Sequence, residues 1–177
     1  KQVSPNICSD GVGGAYVIWS DYSSSSYGDV YATHLYGGAN HQIIAEGSGV
    51  PIISYSSYRS NPSLNTGGSG DAVLVWNDDR NSDQDLYGQR ISVEGSTIST
   101  QWGIVGEGGK LVCNASGDQT SPRVAQYGGD DTIITWEDGR NDYTDAYYQI
   151  LDGNGDGQLA ANGASACFGN WEIIKPR

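Results

Sequence analysis

The sequence predicts an all-β protein made of three tandem copies of one four-stranded antiparallel unit, and three observations predict it. These are a composition of short strands and tight turns, a Trp-x-Asp anchor that recurs at near-constant spacing, and a proline that precedes each anchor by a fixed interval. The 177 residues include 26 Gly, 12 Tyr and 5 Trp, with 1 Phe and no Met, the makeup of twisted strands joined by many turns. The anchors are Trp19-Ser20-Asp21, Trp76-Asn77-Asp78 and Trp136-Glu137-Asp138, with their tryptophans 57 and 60 residues apart. Each Trp follows a proline by 14 residues (Pro5, Pro62, Pro122), and a fourth proline in the same phase, Pro176, lies near the end. Downstream of each anchor stands Asp-x-Tyr: Asp29-Val30-Tyr31, Asp85-Leu86-Tyr87 and Asp145-Ala146-Tyr147. The repeats run roughly 5–61, 62–121 and 122–175, within a single repeat domain over residues 1–177.

Within each repeat the first strand is expected just after the proline, at residues 6–9, 63–65 and 123–126. A Gly-rich turn then leads into the second strand, at 15–19, 72–76 and 132–136. That segment is almost wholly apolar or β-branched without clean alternation, so it is expected to be buried on both faces, with each Trp mostly buried. The third strand begins at Asp-x-Tyr and covers 30–36, 86–92 and 146–151; the fourth, at 50–54, 110–115 and 164–168, precedes the next proline. Sheets of four short strands at this period predict blades of a β-propeller. Three blades do not close a ring, since closed propellers have about four to eight. A partial ring is therefore expected, completed by other copies of the chain or by further blades of the same protein.

Composition excludes several partners. Nine Lys and Arg against 21 Asp and Glu give a formal charge of −12, which repels phosphate backbones and anionic membranes, so no nucleic-acid partner is expected. No apolar run reaches the ~18 residues of a membrane helix, so no membrane insertion is expected. The chain begins at Lys1 rather than Met, read as a processing point or as the edge of a larger protein. Its three cysteines, Cys8, Cys113 and Cys167, are too odd a set to pair fully within the chain.

The repeat resembles the Trp/Asp-rich β-propeller repeats of large secreted bacterial proteins. Matching residues are Gly13-Gly14-Ala15, Trp76-Asn77-Asp78-Asp79-Arg80, Trp136-Glu137-Asp138-Gly139-Arg140, Asp85-Leu86-Tyr87-Gly88-Gln89-Arg90, Cys113 and Gln119-Thr120-Ser121-Pro122. The resemblance spans nearly the whole chain and implies a fold and a secreted or cell-surface location rather than a reaction. Repeat one departs from the pattern: Ser23 stands where Arg is expected, one extra residue precedes Asp29, and residues 23–26 are all serine.

Each candidate site residue carries a structural reading. Asp21, Asp78 and Asp138 end the second strand at a hairpin, where a short carboxylate accepts free backbone N–H groups. Arg80 and Arg140 then fork onto a neighbouring carboxylate. The loop Asp152-Gly153-Asn154-Gly155-Asp156-Gly157 offers oxygens at positions 1, 3 and 5 of a Ca²⁺ loop. Position 12 is Gly163 rather than the bidentate Glu, so Ca²⁺ is the one cofactor this loop suggests and a Gly-rich turn is the expected reading. Cys113 and Cys167 each lie nine residues before a proline and so share a repeat position. Adjacent blades hold such residues farther apart than the ~7 Å Cα limit of a disulfide, and buried free thiols are expected. Asn114-Ala115-Ser116 is a glycosylation sequon. His34 and His41 show no metal-ligand spacing, and Trp102 and Trp171 fall outside the anchors, where packing between blades is expected.

No Ser-x-Asp-x-Gly-x-Thr-Trp box of the kind sialidase propellers carry occurs, and no Ser-His-Asp ordering stands out. The functional expectation is a non-catalytic extracellular structural or adhesive module that self-associates or belongs to a larger surface protein or filament. A carbohydrate-binding propeller, in which rim Tyr and Trp stack on glycans, is the second reading, and a glycoside hydrolase is the third.

Overall fold

Fourteen strands and no helix make up the described residues of the computed structural model, namely 1–23, 26–37, 43–44, 48–103 and 108–167. His41, Trp171, Pro176 and the end of the expected strand 164–168 lie outside them. The strands form three antiparallel sheets. Sheet one orders β1 (Gln2–Ser9), β2 (Ala15–Asp21) and β3 (Asp29–Leu35), and two short strands, β4 (Ile43–Ile44) and β5 (Val50–Ile53), share the free edge of β3. Sheet two repeats the plan with β6 (Arg59–Gly68), β7 (Asp71–Asp78) and β8 (Asp85–Glu94), whose edge takes β9 (Thr97–Thr100) and β10 (Lys110–Cys113). Sheet three has β11 (Gln119–Gln126), β12 (Thr132–Asp138), β13 (Asp145–Leu151) and β14 (Ala164–Ser165), with a lone bridge from Leu151 to Gly157 where β4 and β9 stand in the others.

The sheets differ from the four expected strands in two ways. The fourth place is divided between two segments, because β3 and β8 extend past the strand that precedes the next repeat and their ends are paired by a hairpin return. The first strand also starts earlier than its proline. β1, β6 and β11 run through Pro5, Pro62 and Pro122, with register shifts at Val3/Asn6, Ser60/Ser63 and Thr120/Arg123. Ser4, Asn61 and Ser121, each just before the proline, take left-handed φ of 53°, 50° and 54°. A bulge at a fixed place seats a residue that cannot donate to the ladder without ending the strand.

Two apolar clusters join the sheets in chain order. Tyr16, Ile18 and Ala32 of sheet one pack with Leu74, Trp76 and Ile91 of sheet two. Val73, Val75 and Leu86 of sheet two pack with Ile134, Trp136 and Leu151 of sheet three. The Trp-bearing face of one sheet thus lies on the opposite face of the sheet before it. In sheet two, with a sheet on either side, β7 and the first seven residues of β8 are buried along both faces; β2 and β12 alternate. Trp76 and Trp136 are accordingly buried, whereas Trp19 is half-buried.

One glycine position completes each sheet. Gly49, Gly109 and Gly163 have φ of +75°, +83° and +77°, and a Cβ at any of them would lie 2.4–2.5 Å from the ring edge of Trp19, Trp76 or Trp136. Only glycine tolerates both the left-handed backbone and that approach.

Candidate functional site

The Trp-x-Asp corners are the most elaborate side-chain constellation in the fold. Asp78 is fully buried at the end of β7, and its Oδ1 accepts the Arg80 backbone N–H (3.1 Å) and Nε (2.9 Å). Its Oδ2 accepts Arg80 Nη2 (2.6 Å) and Trp76 Nε1 (3.2 Å). The Arg80 guanidinium lies 3.7 Å from the Tyr87 ring centroid and 4.5 Å from that of Tyr55, and also donates to the Gly108 carbonyl. Asp138 repeats this in sheet three with the Arg140 N–H, Nε and Nη2 and with Trp136 Nε1, while Arg140 covers Tyr147 at 4.0 Å. Burial pushes both carboxyls up, but the Arg and Trp donors outweigh it and hold them below the ordinary 3.8. Every oxygen lone pair is engaged, so these carboxylates organise a turn and offer no free acid or base.

Sheet one departs at the position the sequence marked. With Ser23 in place of Arg, Asp21 accepts the Ser23 N–H (2.7 Å) and Gln2 Nε2 (2.8 Å). Hydrogen bonds from the Ser23 side chain and from Gln2 bring its pKa down to about 2. Trp19 Nε1 is buried without a hydrogen-bond partner.

The same sheet presents an open face. Ile7 is 61 % exposed, whereas its repeat equivalents Leu64 and Val124 are each 7 % exposed. Val17, Trp19, Tyr31 and Leu35 on that face are half-buried, and their sheet-two equivalents Leu74, Trp76, Tyr87 and Ile91 are buried. The outer face of sheet three is also open, through Thr135, Glu137 and Ala146.

The other candidates are placed as follows. In the loop 152–157, Asp152 Oδ1 accepts the N–H groups of Asn154 and Asp156 (both 2.9 Å), and Lys110 Nζ lies 2.6 Å from Asp156 Oδ1 and 3.0 Å from the Asn154 carbonyl. Trp102 is buried and donates to the Gly153 carbonyl (2.9 Å), joining sheet two to this loop. Among the described residues no cluster of three or more His, Cys, Asp or Glu is placed to hold a metal. His34 is buried with Nε2 2.9 Å from Asp10 Oδ2, and packs edge-on against Tyr16 and Tyr36. Asn114 is exposed. The expectation of buried thiols is met at Cys113 but not at Cys167, which is exposed. Cys113 lies under Asp138, Arg140 and Asn162 of the next sheet, and among the described residues no further sheet lies above Cys167.

No protein-family model and no curated protein matches the chain. Among solved structures it is similar to Hadza microbial sialidase Hz136, with 10% sequence identity and a TM-score of 0.43 over 92% of this chain. The match covers 47% of that protein, so this chain spans about half its length.

Proposed function

We propose that this chain is a non-catalytic structural module, a run of three β-propeller blades from a secreted or cell-surface protein. Its open faces are covered by further blades of the same protein or by a second copy of the chain. The observation that carries this reading is the Ile7–Trp19 face. Five of its positions hold apolar side chains whose equivalents are packed under a preceding sheet in repeat two. Leaving a few hundred Å² of such surface in water forfeits several kcal/mol at roughly 25 cal/mol/Å². The corners support the absence of turnover, because their carboxylates are consumed by Arg and Trp donors.

Sedimentation velocity at micromolar concentration tests the assembly. The expected species is heavier than the 18.8 kDa monomer, and Ile7→Asp, which puts a charge on the open face, returns it to monomer. A stable wild-type monomer overturns the second copy as the cover of this face. Screening against glycosides and esters tests the chemistry: no hydrolysis is expected, and turnover lost on replacing Asp78, Asp138 or Asp145 overturns it.

A further inference from the structure

The departures of repeat one from its own pattern converge on one place. Where sheets two and three meet, the residue after Trp-x-Asp and the residue four before the next proline are Asp79 and Asp118. Asp118 Oδ1 accepts the Gln84 N–H (3.0 Å), which ties the corner loop across the junction. Where sheets one and two meet, the same two positions are Tyr22 and Tyr58. Here the tie runs through Arg59, whose N–H and guanidinium reach Tyr27, Gly28 and Asp29 of sheet one, while Asp79 Oδ1 accepts the Tyr58 N–H (2.7 Å), and beside that tie lies a cleft of about 640 Å³ lined by both tyrosines, Ser26, Arg59, Ser60 and Asn61.

The chemistry of the cleft is specific. Tyr58 is 45 % exposed and Tyr22 half-buried, so two phenol rings border the space. Burial and a hydrogen bond with Tyr58 raise the Tyr22 phenol above its ordinary value and keep it neutral. The guanidinium of Arg59 is 1 % exposed and already spent on Asp29 Oδ1 (2.9 Å), the Gly28 carbonyl (3.2 Å) and the Tyr55 carbonyl (2.7 Å). Arg59 therefore brings no unpaired charge to the cleft, and the exposed Lys1 also lines it. Aromatic faces beside hydroxyl and amide groups complement a pyranose ring, with apolar C–H faces and a polar edge. The volume lies within the roughly 300–1,000 Å³ of small-ligand clefts. A net charge of −12 disfavours acidic sugars.

We infer that the cleft between sheets one and two is a binding site for neutral saccharides, with Tyr58 and Tyr22 as the stacking residues and Ser26, Ser60 and Asn61 as hydrogen-bonding partners. The site lies inside one chain and away from the Ile7–Trp19 face, so its occupancy does not depend on assembly.

Saturation-transfer NMR and calorimetry with methyl glycosides of glucose, galactose, mannose and N-acetylglucosamine, and with cellotriose and chitotriose, test this. At least one probe is expected to bind at millimolar concentration or tighter, with transfer to its ring C–H protons. Tyr58→Ala weakens that binding by about tenfold, and Tyr58→Asp, which restores the residue type found at Asp118, abolishes it. Both variants stay folded and keep the wild-type sedimentation profile, which separates this site from the open face. Binding of no probe, or binding that survives both substitutions unchanged, overturns the inference.

Discussion

Truncating Trp76 separates what the repeat does inside the stack from what it does at the end. Trp76 is fully buried, stacks on Tyr87 with ring centroids 6.4 Å apart, and donates to Asp78 at 3.2 Å. Gly109 closes on its ring edge and sheet one covers the remaining face. Trp76→Ala leaves a cavity that none of these neighbours can collapse into, at a cost of about 3–5 kcal/mol. For a chain of this length each kcal/mol lowers Tm by about 2–4 °C, so a fall of roughly 6–20 °C is expected. Trp19 stacks in the same way on Tyr31, but it is half-buried, lacks the indole hydrogen bond and, among the described residues, has no sheet over its outer side. Its truncation removes about half the contact and leaves a gap open to water rather than a sealed void, so about 1–2 kcal/mol is expected. Urea unfolding of both variants, measured where the chain is dissociated, reads the two values. Equal losses, or a Trp76→Ala loss under about 1 kcal/mol, refute the stacking order on which the open-face argument stands.

The depressed carboxyls of Asp78 and Asp138 set the acid limb. Because their folded values lie below the ordinary 3.8, the stability they add is complete above that value and is lost as pH falls through and below it. The urea midpoint should hold from neutral to about pH 5 and fall steeply below about pH 4, and Asp78→Asn with Asp138→Asn should flatten that fall; an unchanged slope counts against the corner assignment. Burial pushes the Cys8 thiol to about 12 and Cys113 to about 11, while Cys167 is exposed. A thiol reagent at mildly alkaline pH should therefore label one cysteine quickly, and Cys167→Ser should remove that phase. Arg59→Met removes the guanidinium from a buried ion pair with Asp29 and should cost about 3–5 kcal/mol; adding Asp29→Asn should recover part of the loss, and full additivity of the two changes would exclude coupling.

What was legible in the sequence is what repeats. The Trp-x-Asp, Asp-x-Tyr and proline anchors placed the second and third strands of each sheet to within about two residues, because a strand buried by its neighbours must be apolar and its turns must carry Asp and Gly. The strand β9, a β-branched run Thr97-Ile98-Ser99-Thr100 after the turn at Gly95-Ser96, carries none of the anchors that all three repeats share and so leaves no mark in the repeat pattern. Strand starts were read too late because proline was taken as a boundary, while Ser4, Asn61 and Ser121 absorb it in a bulge. Burial could not be read at all from a repeat taken alone. Ile7, Leu64 and Val124 are equivalent in sequence and differ only in whether a sheet lies above them. In the sequence this corner shows only as the departures at residues 23–26 and before Asp29, and it becomes a place once the fold sets Tyr22, Ser26 and Tyr58 around one cleft.

The two open faces are not equivalent, and the difference decides how isolated copies pair. At the junction of sheets two and three, Asn77 sits fully buried and its side-chain amide donates to the Gln119 backbone carbonyl. The residue at that place on the outer face of sheet three is Glu137, and Thr135 stands where Val75 and Ile18 are buried in the sheets before it. A head-to-tail contact built like the internal junctions would bury Glu137 against the Gln2 carbonyl of the next copy, and a carboxylate has no hydrogen to donate there. Burying an unpaired carboxylate costs several kcal/mol, comparable to the gain from covering the Ile7–Trp19 face. Pairing two Ile7–Trp19 faces across a two-fold axis covers apolar surface on both copies and leaves both Glu137 side chains in water, where they cap the ends. The isolated chain should therefore sediment as a dimer rather than as a ladder of growing species. Thr135→Val combined with Glu137→Asn, which restores the chemistry of the internal junctions, should convert the dimer into longer assemblies. A ladder from the wild-type chain, or a dimer indifferent to Ile7→Asp, would show that the faces pair in some other way.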